Sequence, residues 1–122
     1  MTLADPEIEA WFARIREPAR SIIRRAAVVL VSADPAVHGY LKYGTLQIGS
    51  EGDLVNFVQV GRMPVSLMFN RGSRLRGEFP HLEGSGPSAR FMRFGAVHEV
   101  DLRADELRSI VAAWLRFERD GA

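Results

Sequence analysis

Between Leu41 and Phe94 short runs with an apolar residue at every second position alternate with glycine-rich turns, and that rhythm decides what this chain can fold into. A period of two sends successive side chains to opposite faces of a strand, so such runs pair as antiparallel hairpins. Leu46 and Ile48 lead to the turn Gly49-Ser50-Glu51-Gly52-Asp53. Leu54 to Val60 follows, then Gly61-Arg62-Met63-Pro64, then Val65 to Phe69. In the third run Val65, Leu67 and Phe69 share a face, with Ser66, Met68 and Asn70 opposite. The second run is mixed: Leu54, Val58 and Val60 face one way, Val55 and Phe57 the other. Apolar surface is therefore expected on the sheet's second face. Val55, Phe57 and Met68 are the expected contacts if the chain is a homodimer.

Helical periodicity brackets these strands. Asp5 can cap a helix with Pro6 in its first position and Glu7 and Glu9 in its first turn, where the helix dipole favours acids. Ile8, Trp11, Phe12 and Ile15 then form one apolar stripe, and Arg14 and Arg16 suit its end. Glu17, before Pro18, is pushed away from helical geometry, so the chain kinks there or starts a second helix, about Pro18 to Val31. The basic stripe of that helix, including Arg20, Arg24 and Arg25, reads as a solvated face. Gly95 to Asp101 reads as a connector. The last helix is expected from Leu102 or Arg103 to Glu118, with Leu107, Ile110, Val111, Trp114 and Leu115 as its stripe. The order predicts a single α+β domain over 1–122: two layers, an antiparallel sheet of four to five strands packed against N- and C-terminal helices.

The totals exclude several classes of function. A chain of 122 residues without cysteine has no disulfide, thiolate metal site or thiol catalysis. No apolar run approaches the ~20 residues that span a bilayer. The start, Met-Thr-Leu-Ala-Asp-Pro, lacks a basic, apolar leader, so no membrane association and a cytoplasmic location are expected. Net charge is +1, which argues against generic attraction to nucleic acid. Fifteen arginines stand against the single Lys42, a bias that genomic base composition explains.

Gly72 to Pro87 exceeds the ~12–15 residues beyond which an irregular loop is uncommon unless functional or pinned by its own side chains. Arginine's planar fork suits carboxylate and phosphate. Arg71, Arg74, His81 and Arg90 are therefore the candidate contacts for a small anionic ligand or an acidic peptide, with Gly84 and Gly86 shaping the loop. His81 and Glu83, two apart, could begin a metal site or an acid–base pair. Neither His38 nor His98 is spaced to supply a third ligand, so no metal is assigned. The two residues are read instead as loop anchors, with Leu75, Phe79 and Leu82 pinning the loop hydrophobically. Gly84-Ser85-Gly86-Pro87-Ser88 resembles an anion-cradling turn but lacks the lysine of a P-loop. Arg90 and Arg93 point to opposite faces of a strand, which splits a nucleic-acid patch. Lys42-Tyr43 has no nucleotide motif beside it. No nucleophile–base pair is visible, so no catalytic residue and no cofactor are assigned, and an enzyme is the class with least support.

A set of short motifs carries a resemblance. They are Trp11, Glu17-Pro18, Leu41-Lys42-Tyr43-Gly44, Leu54-Val55-Asn56-Phe57 and Val65-Ser66-Leu67-Met68-Phe69 with Arg71-Gly72. The run Phe79-Pro80-His81-Leu82-Glu83-Gly84-Ser85-Gly86-Pro87 then leads to Ala89-Arg90-Phe91-Met92-Arg93-Phe94. Over nearly its whole length the chain resembles the YdhG-like family, a catalogued domain of unknown function. The resemblance implies a small antiparallel sheet against terminal helices and supplies no agreed catalytic residues; the loop's length, glycines and arginines are what make a non-enzymatic binding module the expected function. The resemblance also implies an alternative, frataxin-like iron binding or chaperoning, which needs clustered oxygen ligands. The first helical region offers Asp5, Glu7, Glu9 and Glu17 for this, interleaved with Arg14, Arg16, Arg20, Arg24 and Arg25.

Overall fold

The computed structural model describes residues 5–121; the opening residues read above for a leader, Met1 to Ala4, lie outside them. Two helices, α1 (Pro6–Ala13) and α2 (Ala19–Ser32), precede five strands: β1 (His38–Lys42), β2 (Thr45–Gly49), β3 (Asp53–Val58), β4 (Val65–Phe69) and β5 (Arg90–Phe94). Helices α3 (Val97–Leu102) and α4 (Ala104–Asp120) close the chain. The sheet is an antiparallel meander in the order β1-β2-β3-β4-β5, and the helices cover one face. This is the two-layer α+β arrangement that the pattern predicts.

Local chemistry explains the helix boundaries. The Asp5 carboxylate accepts from the Glu7 N–H at 2.7 Å and the Ile8 N–H at 3.4 Å, satisfying two donors that a helix start leaves unpaired. α1 stops at Ala13, short of the expected arginines, and Ile15 is nevertheless buried in the turn that follows. Glu17 then supports α2, accepting from the Ser21 N–H at 2.8 Å and the Ser21 hydroxyl at 2.7 Å. The basic stripe of α2 is tied to acids: Arg24 to Glu9 at 2.7 Å and Arg25 to Asp101 at 2.6 Å. These exposed pairs are screened by solvent and add little to stability, and they leave the stripe partnered.

Two expectations are corrected. Gly95 to Asp101 is not a plain connector, because Val97–Leu102 forms α3. Its start is held by Glu99, whose carboxylate accepts from the Gly95 and Ala96 N–H groups. Arg103, at φ −107° and ψ 13°, separates α3 from α4. The second correction concerns β3. Leu54 and Val55 are consecutive yet both buried, because the register slips between Ile48 and Gly49. Such a bulge places an extra residue on one strand and re-aims its neighbours. Val55 and Phe57, at 0% and 2% exposure, belong to the monomer's own core, so they cannot form a dimer surface. Met68 lies on the opposite face and is half-buried.

The core runs between the helices and one sheet face. Val65, Leu67 and Phe69 of β4 and Met92 and Phe94 of β5 meet Ile22, Ile23 and Leu30 of α2 and the stripe of α4. On the other face, the cross-strand row Tyr40, Gln47, Asn56, Met68 and Phe91 is mostly polar.

Candidate functional site

The segment between β4 and β5 folds back as a flap along the β5 edge and α4. Glu83 and Phe91 exchange backbone hydrogen bonds of 2.7 and 2.8 Å, a single antiparallel bridge beyond β5. The Ser73 hydroxyl donates to the Pro87 carbonyl at 2.9 Å, and the Ser88 hydroxyl to the Asn70 carbonyl at 2.7 Å. Leu75, Phe79 and Leu82 pack against the core. Glu106 of α4 clasps His81 twice, at its backbone N–H (2.9 Å) and at Nδ1 (2.6 Å).

The flap does not gather its guanidinium groups. Arg90 Nη1 donates to the carbonyls of Gly86 at 2.8 Å and Ala89 at 2.9 Å, and its stem passes between Gly72 and Gly84. Arg74 lies over the Phe117 ring, 5.8 Å from its centroid. His81 and Arg74 are thereby tied to positions 106 and 117 of α4, about 16 Å apart along the helix axis. Arg93 pairs with Glu83 at 3.1 Å. Gly84 sits at φ +131°, which a side chain resists, whereas Gly86 has open space around it. His81, Arg74 and Arg90 are thus each engaged with the protein through their side chains, whereas the Arg71 guanidinium has no such partner.

Arg71 lines a cleft of about 200 Å³ at one end of the sheet. Gly52 and Asp53 from the β2–β3 turn, Asn70 at the end of β4, and Trp114 and Glu118 of α4 complete it. The bulge matters here, since it pairs Asp53 with Gly49 and brings its carboxylate toward Tyr40 and Lys42. Tyr40 donates a short hydrogen bond to Asp53 Oδ1, and Lys42 Nζ lies 2.9 Å from Oδ2. Tyr40, and then Lys42, hold the Asp53 carboxyl below its ordinary range. Burial, reinforced by Asp53, pushes the Tyr40 hydroxyl well above the usual phenol range. Held protonated in this way, Tyr40 is a donor and a poor general base.

Two glycines give this corner its shape. A Cβ on Gly49 would stand 2.1 Å from the Gly52 carbonyl oxygen and 2.8 Å from the Tyr40 hydroxyl. A Cβ on Gly52 would meet Glu118 Oε1 at 2.4 Å. Asn70 Nδ2 donates to the Asp53 carbonyl at 3.3 Å, bracing the β4 end against the turn. Among the described residues, the side chains of Arg71 and Glu118 make no hydrogen bond or ion pair, with each other or with anything else. Of the cleft residues, sequence reasoning singled out Arg71 alone. The signal for the rest was the glycine spacing of the turn before Asp53, which read as an ordinary hairpin.

Among the described residues, no group of three or more His, Asp or Glu side chains could hold a metal ion. No helix among them is long and apolar enough to cross a membrane. The chain is a two-layer α+β domain with a five-stranded meander and a charged cleft at one end of the sheet. No protein-family model matches it, and the searches of curated proteins and of solved structures also find no match.

Proposed function

We propose that this chain is a non-enzymatic binding module of the YdhG-like type, and that Arg71 at the sheet-end cleft receives the anionic group of a small ligand. The observation that carries the reading is the free guanidinium of Arg71 beside a cavity. Among the other candidate contacts, Arg90 is engaged with carbonyls, Arg74 with a ring and His81 with a carboxylate. A bidentate fork without an internal partner forms charge-assisted hydrogen bonds to a carboxylate or phosphate without first breaking any. Asp53 does not oppose this strongly, because Lys42 neutralises it.

The test is a two-dimensional NMR titration with acetate and with inorganic phosphate. Shifts are expected at the amides of Asp53, Asn70 and Arg71, lost in Arg71→Gln and kept in Arg90→Ala. Shifts centred on His81 and Arg90, or none at tens of millimolar ligand, would overturn the reading.

A further inference from the structure

Resting on that reading, we infer that the cleft takes a small zwitterion, an α-amino acid or related amino-carboxylate, with Arg71 on its carboxylate and Glu118 on its ammonium group. Three charged residues line the cleft: Lys42, from outside the lining, neutralises Asp53 at 2.9 Å, which leaves Arg71 and Glu118. These two carry opposite signs, face one cavity and are not paired with each other. A ligand bearing a single anionic group meets Glu118 as a repulsive neighbour, and a lone amine meets Arg71 in the same way. A molecule with both charges satisfies both side chains and brings no net charge into the site.

Shape gives the same answer. Gly52 is what lets the Glu118 carboxylate lie against the β2–β3 turn, because any Cβ there would collide with Oε1 at 2.4 Å. The carboxylate therefore has room on the turn side of the cleft, while Arg71 lines it just past the end of β4. A volume of about 200 Å³ is smaller than the ~300–1,000 Å³ of sites for drug-sized ligands, which limits the occupant to a few heavy atoms. Trp114, buried among the lining residues, offers an apolar floor for a short aliphatic side chain.

The experiment compares three molecules of one size, free L-alanine, propionate and ethylamine, by calorimetry and NMR on the full chain. L-alanine is expected to bind at least tenfold more tightly than either of the others. Glu118→Gln should bring L-alanine down to the affinity of propionate without weakening propionate, and Arg71→Gln should abolish both. If propionate binds wild-type protein as well as L-alanine does, the zwitterion is refuted while the Arg71 reading stands. The same holds if Glu118→Gln leaves their ratio unchanged. If neither carboxylate binds, both fall together.

Discussion

The flap and the cleft make opposite use of polar residues. The flap is dense in arginine, histidine, serine and glycine, and much of that chemistry is spent within the molecule. Ser73 and Ser88 bind backbone carbonyls, Arg90 binds two more, and His81 is clasped by Glu106. A segment outside the sheet has no ladder to satisfy its backbone, so its side chains must do so. The cleft is sparse by comparison, assembled from the β2–β3 turn, the end of β4 and the last turns of α4. Yet it is there that two side chains of opposite charge line one cavity without pairing. Density of functional-looking residues in a loop therefore reports first on what holds the loop in place.

The largest expected difference between the two regions lies in their glycines. Gly49→Ala forces a methyl group to within 2.1 Å of the Gly52 carbonyl, a backbone atom that cannot swing away. Overpacking of this kind costs roughly 2–3 kcal/mol. Gly86→Ala in the flap meets nothing within 4 Å and should change stability by less than about 0.5 kcal/mol. Urea unfolding of the two variants measures both. Equal losses would mean that the turn is not the tightly built corner described above.

The same contrast explains what could be read in advance. β4 and α4 were legible because each carries its period within one element: Val65, Leu67 and Phe69, or Leu107, Ile110, Val111 and Trp114. The fold class followed from the order of such periods. The bulge was not legible, because it depends on how β2 and β3 pair, and it changed which way Leu54 and Asp53 point. α3 escaped because its six residues are too few to show a stripe, and its N-terminal support comes from Glu99 with Ala96 in the capping position. The cleft was hidden for the reason that binding sites often are. Arg71, Asp53 and Glu118 meet only after the chain has folded, and no spacing in the sequence records their proximity.

A smaller effect is expected from Tyr40→Phe, which strips the hydroxyl from Asp53 and leaves that carboxylate with Lys42 alone. A hydrogen bond to a charged acceptor contributes about 1.5–3 kcal/mol, and partial exposure here argues for the lower end. The pH dependence gives the assignment its signature. Asp53 is depressed in the folded state, so its contribution is present above the unfolded value of about 3.9 and lost as pH falls through the folded one. The gap between wild type and Tyr40→Phe should therefore be widest near neutrality and narrow below about pH 4. At the alkaline end Tyr40 is raised, so its contribution holds below about pH 10 and declines above it. A gap that stays constant from pH 7 to pH 3 would show that the ring, and not the Tyr40–Asp53 bond, is what matters.

The smallest effect tests whether the flap and the cleft are separate units at all. His81→Ala removes the exposed ring contact with Glu106 and keeps the backbone N–H bond of 2.9 Å to the same carboxylate. The cost should be about 0.5 kcal/mol, barely visible in global unfolding. Hydrogen exchange resolves it locally, because flaps open with free energies well below the global value. The Glu83 amide, bonded to the Phe91 carbonyl at 2.7 Å, should exchange about twofold faster, the factor that 0.5 kcal/mol implies. The Asn70 amide, bonded to the Leu54 carbonyl at 3.0 Å beside the cleft, should keep its rate. Were Asn70 to accelerate with Glu83, the flap would be part of what holds the cleft, and its polar residues would act on the ligand through the Ser88–Asn70 bond after all.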